Sequence, residues 1–210
     1  MTQKLAALAI AIALPALASA SDINPGALQL SGKTAFDYSS TTHDDGTIEV
    51  DTTRLGGGLS AMYYVSRFLA FGLSTDYEKV ENTSGGVTET EGTFLFGPKA
   101  GIDWELLKHF SVFADLTIGM AQRTVLEQTG SGIGWEVGAG FKLFLNQNVS
   151  LDLMGNFKRV DVDHPVLGKV TDMGFGAGVG ISVYLTNNPA NSREQEYRPE
   201  TRPAYPPEYR

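Results

Sequence analysis

The 210-residue chain contains no cysteine. That excludes a disulfide framework, a thiolate metal site and lipid attachment at an N-terminal cysteine. No apolar run reaches the roughly 20 residues that a transmembrane helix requires; Leu5–Leu14 falls well short. Bases are outnumbered, with 16 Lys and Arg against 24 Asp and Glu for a net charge of −8. A nucleic-acid partner, which needs a basic face, is therefore excluded. Histidine is scarce as well: His43, His109 and His164 are the whole supply. The composition shows no internal break before the C-terminal tail, so a single folded domain is expected.

What the chain has instead is glycine, 24 residues of it, placed inside an alternating pattern. In Gly134–Leu145 one face reads Trp135, Val137, Ala139, Phe141, Leu143, Leu145, and the other Gly134, Glu136, Gly138, Gly140, Lys142, Phe144. In Met173–Leu185 the apolar set Met173, Phe175, Ala177, Val179, Ile181, Val183, Leu185 opposes Gly174, Gly176, Gly178, Gly180, Ser182. Period-two alternation means β-strands with two unlike faces. The polar faces carry too many charges and too few bulky groups to build a second core. A closed barrel with an apolar outside in lipid and polar residues within satisfies both faces.

Eight strands are expected: 27–39, 52–65, 69–78, 91–106, 110–122, 132–145, 149–159 and 172–185. Tight turns at 66–67, 107–109 and 146–148 alternate with longer polar connections at 40–51, 79–90, 123–131 and 160–171. This is the rhythm of an eight-stranded antiparallel up-and-down transmembrane β-barrel with short periplasmic turns and longer outer loops. Outward Tyr63, Trp104 and Phe110 fall low on the wall. Phe36, Tyr38, Tyr77, Phe94, Phe96, Trp135, Phe157 and Phe175 fall high, as two interfacial aromatic belts would. Pro98 interrupts a strand and predicts a bulge. Residues 1–20 form a cleavable signal, with Lys4, an apolar run and Ala18-Ser19-Ala20 before the cut. Residues 21–186 form the barrel, and 187–210 a Pro-rich tail expected to be disordered and periplasmic.

The inward charged set is Lys33, Asp37, Arg54, Asp76, Glu78, Lys99, Asp103, Glu105, Asp115, Arg123, Glu136, Lys142, Asp152 and Lys158. Its signs are nearly balanced, which favours internal pairing over a channel of one sign. If Leu145 pairs with Val149, then Lys142 faces Asp152 and Glu136 faces Lys158 as opposite charges on the lumen face. A slip of one residue would turn these charges into lipid. The glycine runs 56–58 and 174–180 do not lead into a helix, as a phosphate-binding loop must. They let the wall curve and leave room for inward Tyr64, Phe113, Phe144 and Tyr184. With eight strands, inward side chains about fill the interior.

Several segments resemble a known family: 55–65 (LGGGLSAMYYV) with 68–74 (FLAFGLS), Gly97-Pro-Lys-Ala-Gly101, and 138–152 (GAGFKLFLNQNVSLD). They are similar to the bacterial outer-membrane β-barrel domain family, the small OmpA/OmpX-type barrels. The resemblance implies the outer membrane of a Gram-negative-type bacterium with both termini periplasmic. It does not choose among the structural, adhesive and solute-handling roles found there. The last strand ends Val183-Tyr184-Leu185 rather than on a terminal Phe, and the tail lacks likeness to a peptidoglycan-binding domain.

No catalytic set emerges. His109-Phe110-Ser111 is the one His–Ser proximity, without an acidic partner on the same outward face. His43-Asp44-Asp45 and Asp161-x-Asp163-His164 read as solvated loop residues, since a metal needs further ligands in fixed geometry. No cofactor is expected. The expected role is non-enzymatic, structural or interactive. A narrow conduit for small solutes is the alternative, and a lipid-modifying enzyme a distant one. The expected partners are outer-membrane lipid and lipopolysaccharide, with peptidoglycan or a periplasmic protein reached through the tail.

Overall fold

A computed structural model describes residues 23–43, 48–84, 87–107, 109–125 and 127–185. The signal segment, the tail and the acidic pair after His43 lie outside the described residues. Eight strands follow one another in chain order: β1 Leu28–His43, β2 Ile48–Tyr64, β3 Leu69–Ser84, β4 Val87–Leu107, β5 Phe110–Val125, β6 Gln128–Asn146, β7 Val149–His164 and β8 Gly168–Leu185. Each pairs antiparallel with its neighbours, and β8 returns to β1, Leu28 opposite Leu185 and His43 opposite Val170, closing the ring. Closure leaves no edge over the lipid-facing height, as a spanning sheet requires.

The expected strands are all present, but they are longer than the alternation indicates. The four long polar connections are mostly hairpin ladder. They leave only residues 44–47, 85–86, 126–127 and 165–167 between strands. Above the lipid the outer face meets water, so apolar residues no longer mark the outside while the backbone ladder continues. The end carrying Leu28 and Leu185 is called here the near end, and the opposite one the far end.

The wall around Pro98 corrects another expectation. No residue is inserted: Phe96 pairs with Met120 and Lys99 with Thr117 in unbroken register. Gly97 and Gly119 instead face each other so closely that a Cβ on either would meet the other's Cα and a carbonyl of the facing strand. The contact is possible only without side chains, and it lets β4 and β5 bend past the missing Pro98 donor. Register shifts occur elsewhere, at Thr41/Thr42, Glu105/Leu107 and Phe144/Asn146.

The outer surface is apolar. Phe36, Leu55, Leu59, Tyr63, Phe71, Trp104, Ile133, Phe141 and Phe175 are all exposed. A patch this wide is what lipid rather than water covers. High on the wall Trp135, Phe157 and Phe175 form a continuous aromatic strip with ring centres 5.3 and 4.8 Å apart. Low on it Phe110 stacks on Phe141 at 5.4 Å.

Candidate functional site

The interior is the candidate site, and it is layered. At the near end Tyr64, Phe144 and Tyr184 are fully buried, with ring centres 6.1 Å (Tyr64–Tyr184) and 5.5 Å (Phe144–Tyr184) apart. Met62, Ala70, Ala27 and Ile23 complete an apolar plug. The segment before β1 is held over this mouth by backbone bonds from Gly26 N–H to the Tyr64 carbonyl and from Tyr64 N–H to Ala27.

Above that plug lies a network of charges. Lys142 reaches Asp103 at 2.7 Å, with its ammonium 5.0 Å from the Phe113 ring centre. The Tyr64 hydroxyl donates to the same Asp103, and the Ser150 and Ser182 hydroxyls donate to Asp152. Further up, Lys33 joins Asp76 at 2.7 Å and Glu136 at 2.5 Å, and Lys99 joins Asp115 at 2.9 Å. In the far half Asp172 accepts from both Arg54 and Arg123, the latter at 2.9 Å. Arg123 also reaches Glu91 at 3.3 Å, and Lys158 contacts Glu78. A residual cavity of about 40 Å³ lies among Lys33, Asp76, Lys99, Asp103, Asp115 and Lys142. That is space for water.

Towards the far end lies a second apolar cluster on β4, β5, β7 and β8: Leu95, Ala121, Val160, Val162 and Val170, with Leu167 packed on it. Here the alternation inverts. On β7 Phe157 points out and Lys158 in, whereas beyond them Arg159, Asp161 and Asp163 point out and Val160 and Val162 in. Above the aromatic strip β7 thus takes the pattern of a strand in a water-soluble barrel.

The chain matches the model of the family described as "Outer membrane protein beta-barrel domain" over residues 5–182. The chain belongs to that family. Among solved structures, Neisserial surface protein A shares 16% identity at a TM-score of 0.58, with 75% of this chain and 98% of that one covered. OprG of Pseudomonas aeruginosa gives 12% identity and a TM-score of 0.48, covering 80% and 97%. Ail of Yersinia pestis gives 18% and 0.42, covering 74% and 98%. At such identities the likeness to Neisserial surface protein A speaks for the fold alone. No curated protein matches in sequence.

Within this outer-membrane barrel the β6–β7 register sets Lys142 opposite Asp152 and Glu136 opposite Lys158. All four side chains are buried in the lumen. Their short ionic contacts run elsewhere: Glu136 to Lys33, Lys142 to Asp103 and Lys158 to Glu78. The barrel is narrow enough for a lysine stem to cross it, so an ammonium finds carboxylates on distant strands as well as beside it. Glu105, expected inside, is exposed at the near rim where the β4–β5 register shifts. Asp172 takes the prominence instead. Its parity with Gly174 and Gly176 puts it inside, but its place at the strand's start hides that.

His164 is not a solvated loop residue. It ends β7 and is buried; its Nδ1 accepts the backbone N–H groups of Val166 and Leu167 at 3.3 Å, and its Nε2–H donates to the Gln128 carbonyl at 3.0 Å. Nδ1 thus holds the turn of the last hairpin, and Nε2 ties that hairpin to the start of β6. Ser111 faces the lumen, buried, so it shares no lipid-facing wall with an acid and His109. The described side chains thus form a buried network of ion pairs lying between two apolar clusters.

Proposed function

We propose that this barrel is a closed, non-enzymatic envelope protein that acts through its surface rather than through its lumen. One observation carries the reading: the charge network lies between two buried apolar clusters, Tyr64–Phe144–Tyr184 towards the near end and Val160–Val162–Val170 towards the far end. Under it the near end faces the periplasm, and the tail is an accessory that meets peptidoglycan or a periplasmic protein. The lipid-facing wall takes outer-membrane lipid and lipopolysaccharide as its constant partners.

Planar-bilayer recording of the refolded protein tests the reading. Conductance should be absent or confined to small, brief steps. Large stable openings would defeat it and favour a solute conduit. Protease added to intact cells should leave Arg193, Arg198 and Arg202 uncut; cleavage there would place the tail outside.

A further inference from the structure

The ladders of the barrel do not all run equally far up the wall. β1 and β2 stay paired up to Thr42 opposite Ile48, β3 and β4 up to Ser84 opposite Val87, and β8 and β1 up to His43 opposite Val170. Between β2 and β3 the rungs stop early, at Leu55 opposite Lys79. Both strands continue past that rung, β2 through residues 48–54 and β3 through 80–84. There each is held on one side only, β2 by β1 and β3 by β4. Among the described residues no rung joins the two stretches. Towards the far end the wall is therefore split, and the split is bordered by two strand edges whose alternate N–H and C=O groups have no ladder partner. Lys79 fixes its level. That side chain is exposed on the outer wall, and a charge there belongs beyond the hydrocarbon. The edges thus stand in water, where a sheet no longer has to be closed. At the foot of the split the inward Arg54 and Glu78 are buried, so what the split presents is backbone.

Strand edges are ordinarily blunted by lysine, proline or extreme shortness. Here 48–54 reads IEVDTTR and 80–84 reads VENTS, without lysine or proline. Ile48, Val50, Thr52, Thr53, Val80 and Thr83 are β-branched and suit an extended backbone. What the two stretches do carry is acid: Glu49, Asp51 and Glu81, against Arg54 alone, which Asp172 holds. A second copy of the chain would bring the same acids to the same edge, and like charges on facing strands repel. The arginine-bearing tail follows Leu185 at the near end, across the membrane from the split. The charge of the edges therefore asks for a basic strand from elsewhere.

We infer that the split between β2 and β3 is a strand-addition site for an extended, basic segment of a partner protein. The partner's backbone completes the ladder of an open edge, and its lysines or arginines complement the acids of these stretches. The inference rests on the reading that the barrel acts through its surface, and it names the class of partner. A conducting lumen would defeat that reading, whereas the measurements below read the edges alone.

The test uses the full barrel refolded in lipid nanodiscs. Backbone amide exchange comes first and needs no variant. In the free protein, residues 48–54 and 80–84 should show fast amides interleaved with slow ones, while 56–64 and 70–78 exchange slowly throughout. A short alternating lysine–threonine peptide is then added. It is compared with a peptide of equal charge carrying prolines, which cannot donate to a ladder, and with a glutamate–threonine peptide. Because the chain has no cysteine, Thr52→Cys and Thr83→Cys each carry a single photo-crosslinker. The lysine–threonine peptide should slow the fast amides, crosslink at one or both positions, and bind about tenfold or more tighter than the proline peptide, as the loss of one or two backbone hydrogen bonds implies. Glu49→Lys with Asp51→Lys should pass the preference to the glutamate–threonine peptide. Slow exchange throughout 48–54 and 80–84 in the free protein would mean the edges are paired, and would overturn the inference. Equal binding of the proline peptide would mean charge attraction without strand pairing, and would overturn it too. So would no binding of any peptide, or crosslinks that join two barrels instead, which would make the occupant a second copy.

Discussion

Asp172 offers the sharpest handle on the lumen network. One of its oxygens accepts from both Arg54 and Arg123, and all three side chains are at most 5% exposed. Asp172→Asn keeps the shape and removes the charge, leaving two guanidiniums facing each other. Breaking a buried ion pair by removing one partner costs about 3–5 kcal/mol. Each arginine has a fallback, Glu78 at 3.8 Å for Arg54 and Glu91 at 3.3 Å for Arg123, which puts the expectation at the lower end, about 3 kcal/mol. Glu91→Gln is the matched control. Its side chain is 27% exposed and Arg123 retains Asp172, so it should cost about 1 kcal/mol or less, as exposed pairs do. Denaturant unfolding in lipid vesicles, followed by the fluorescence of Trp104 and Trp135, measures both, with an unchanged slope required for comparison. Arg123→Gln added to Asp172→Asn should recover part of the loss, because it removes a stranded cation. If Asp172→Asn costs no more than Glu91→Gln, Asp172 does not hold the two arginines and the layered network is wrong.

His164→Phe keeps bulk over the aliphatic plug but deprives the Val166 and Leu167 N–H groups of their acceptor. It should open the last hairpin to trypsin at Lys169 in the purified protein while sparing the wall. Asp161, beyond the aromatic strip, accepts from Arg159 at 2.8 and 3.1 Å and from Thr171 at 2.6 Å. The Arg159 hydrogen bonds hold its carboxyl below the ordinary value. A depressed carboxylate stabilises fully above its unfolded value, about 3.9, and loses that contribution as pH falls through the folded one. The small stability gap between the protein and Asp161→Asn, read from unfolding midpoints, should therefore close as pH drops from about 5 to 3. Gly97→Ala should impair folding far more than Gly155→Ala, assayed by heat-modifiable electrophoretic mobility. The first drives a methyl into Ile118 and Gly119, while the second meets nothing nearer than 3.8 Å.

The eight strands, their order and the β6–β7 register are legible because lipid imposes a strict rule on them. Each outward position must be apolar, so Trp135, Val137, Ala139 and Phe141 fix the parity of Glu136 and Lys142 without reference to any other strand. The same rule locates both aromatic belts. It fails for ionic partners, because parity says which side chains share the lumen but not how far a lysine reaches across it. Lys158 and Glu136 are neighbours in the ladder, yet Lys158 contacts Glu78 on β3. Pro98 misled for a related reason: a proline in a strand announces a missing donor, and only the facing Gly119 shows how the wall accommodates it without an extra residue.

The strand ends were hidden by a change of solvent, not by weak pattern. From Val160 the chain still alternates, Val160-Asp161-Val162-Asp163, but the apolar residue has moved to the lumen and the charge to the outside. Read with the lipid rule, this stretch looks like a polar loop. Under the rule for a barrel standing in water, it is a strand continuing upward with its core inside. The level of the switch, between Phe157 and Asp161, therefore marks where the wall leaves the hydrocarbon. It also explains why the charges are confined: polar residues line the lumen where lipid claims the apolar face, and once water claims the outside, Val160, Val162 and Val170 return to the interior. Under the closed-barrel reading, closure of the far end follows from the solvent change itself. A substitution that keeps the strand but makes the inside polar, such as Val160→Thr with Val162→Thr, should weaken the plug without disturbing the membrane-facing wall. Under the closed-barrel reading the double variant inserts normally and shows brief conductance steps that the parent lacks. If bilayer recordings of parent and variant are indistinguishable, Val160 and Val162 do not provide the closure.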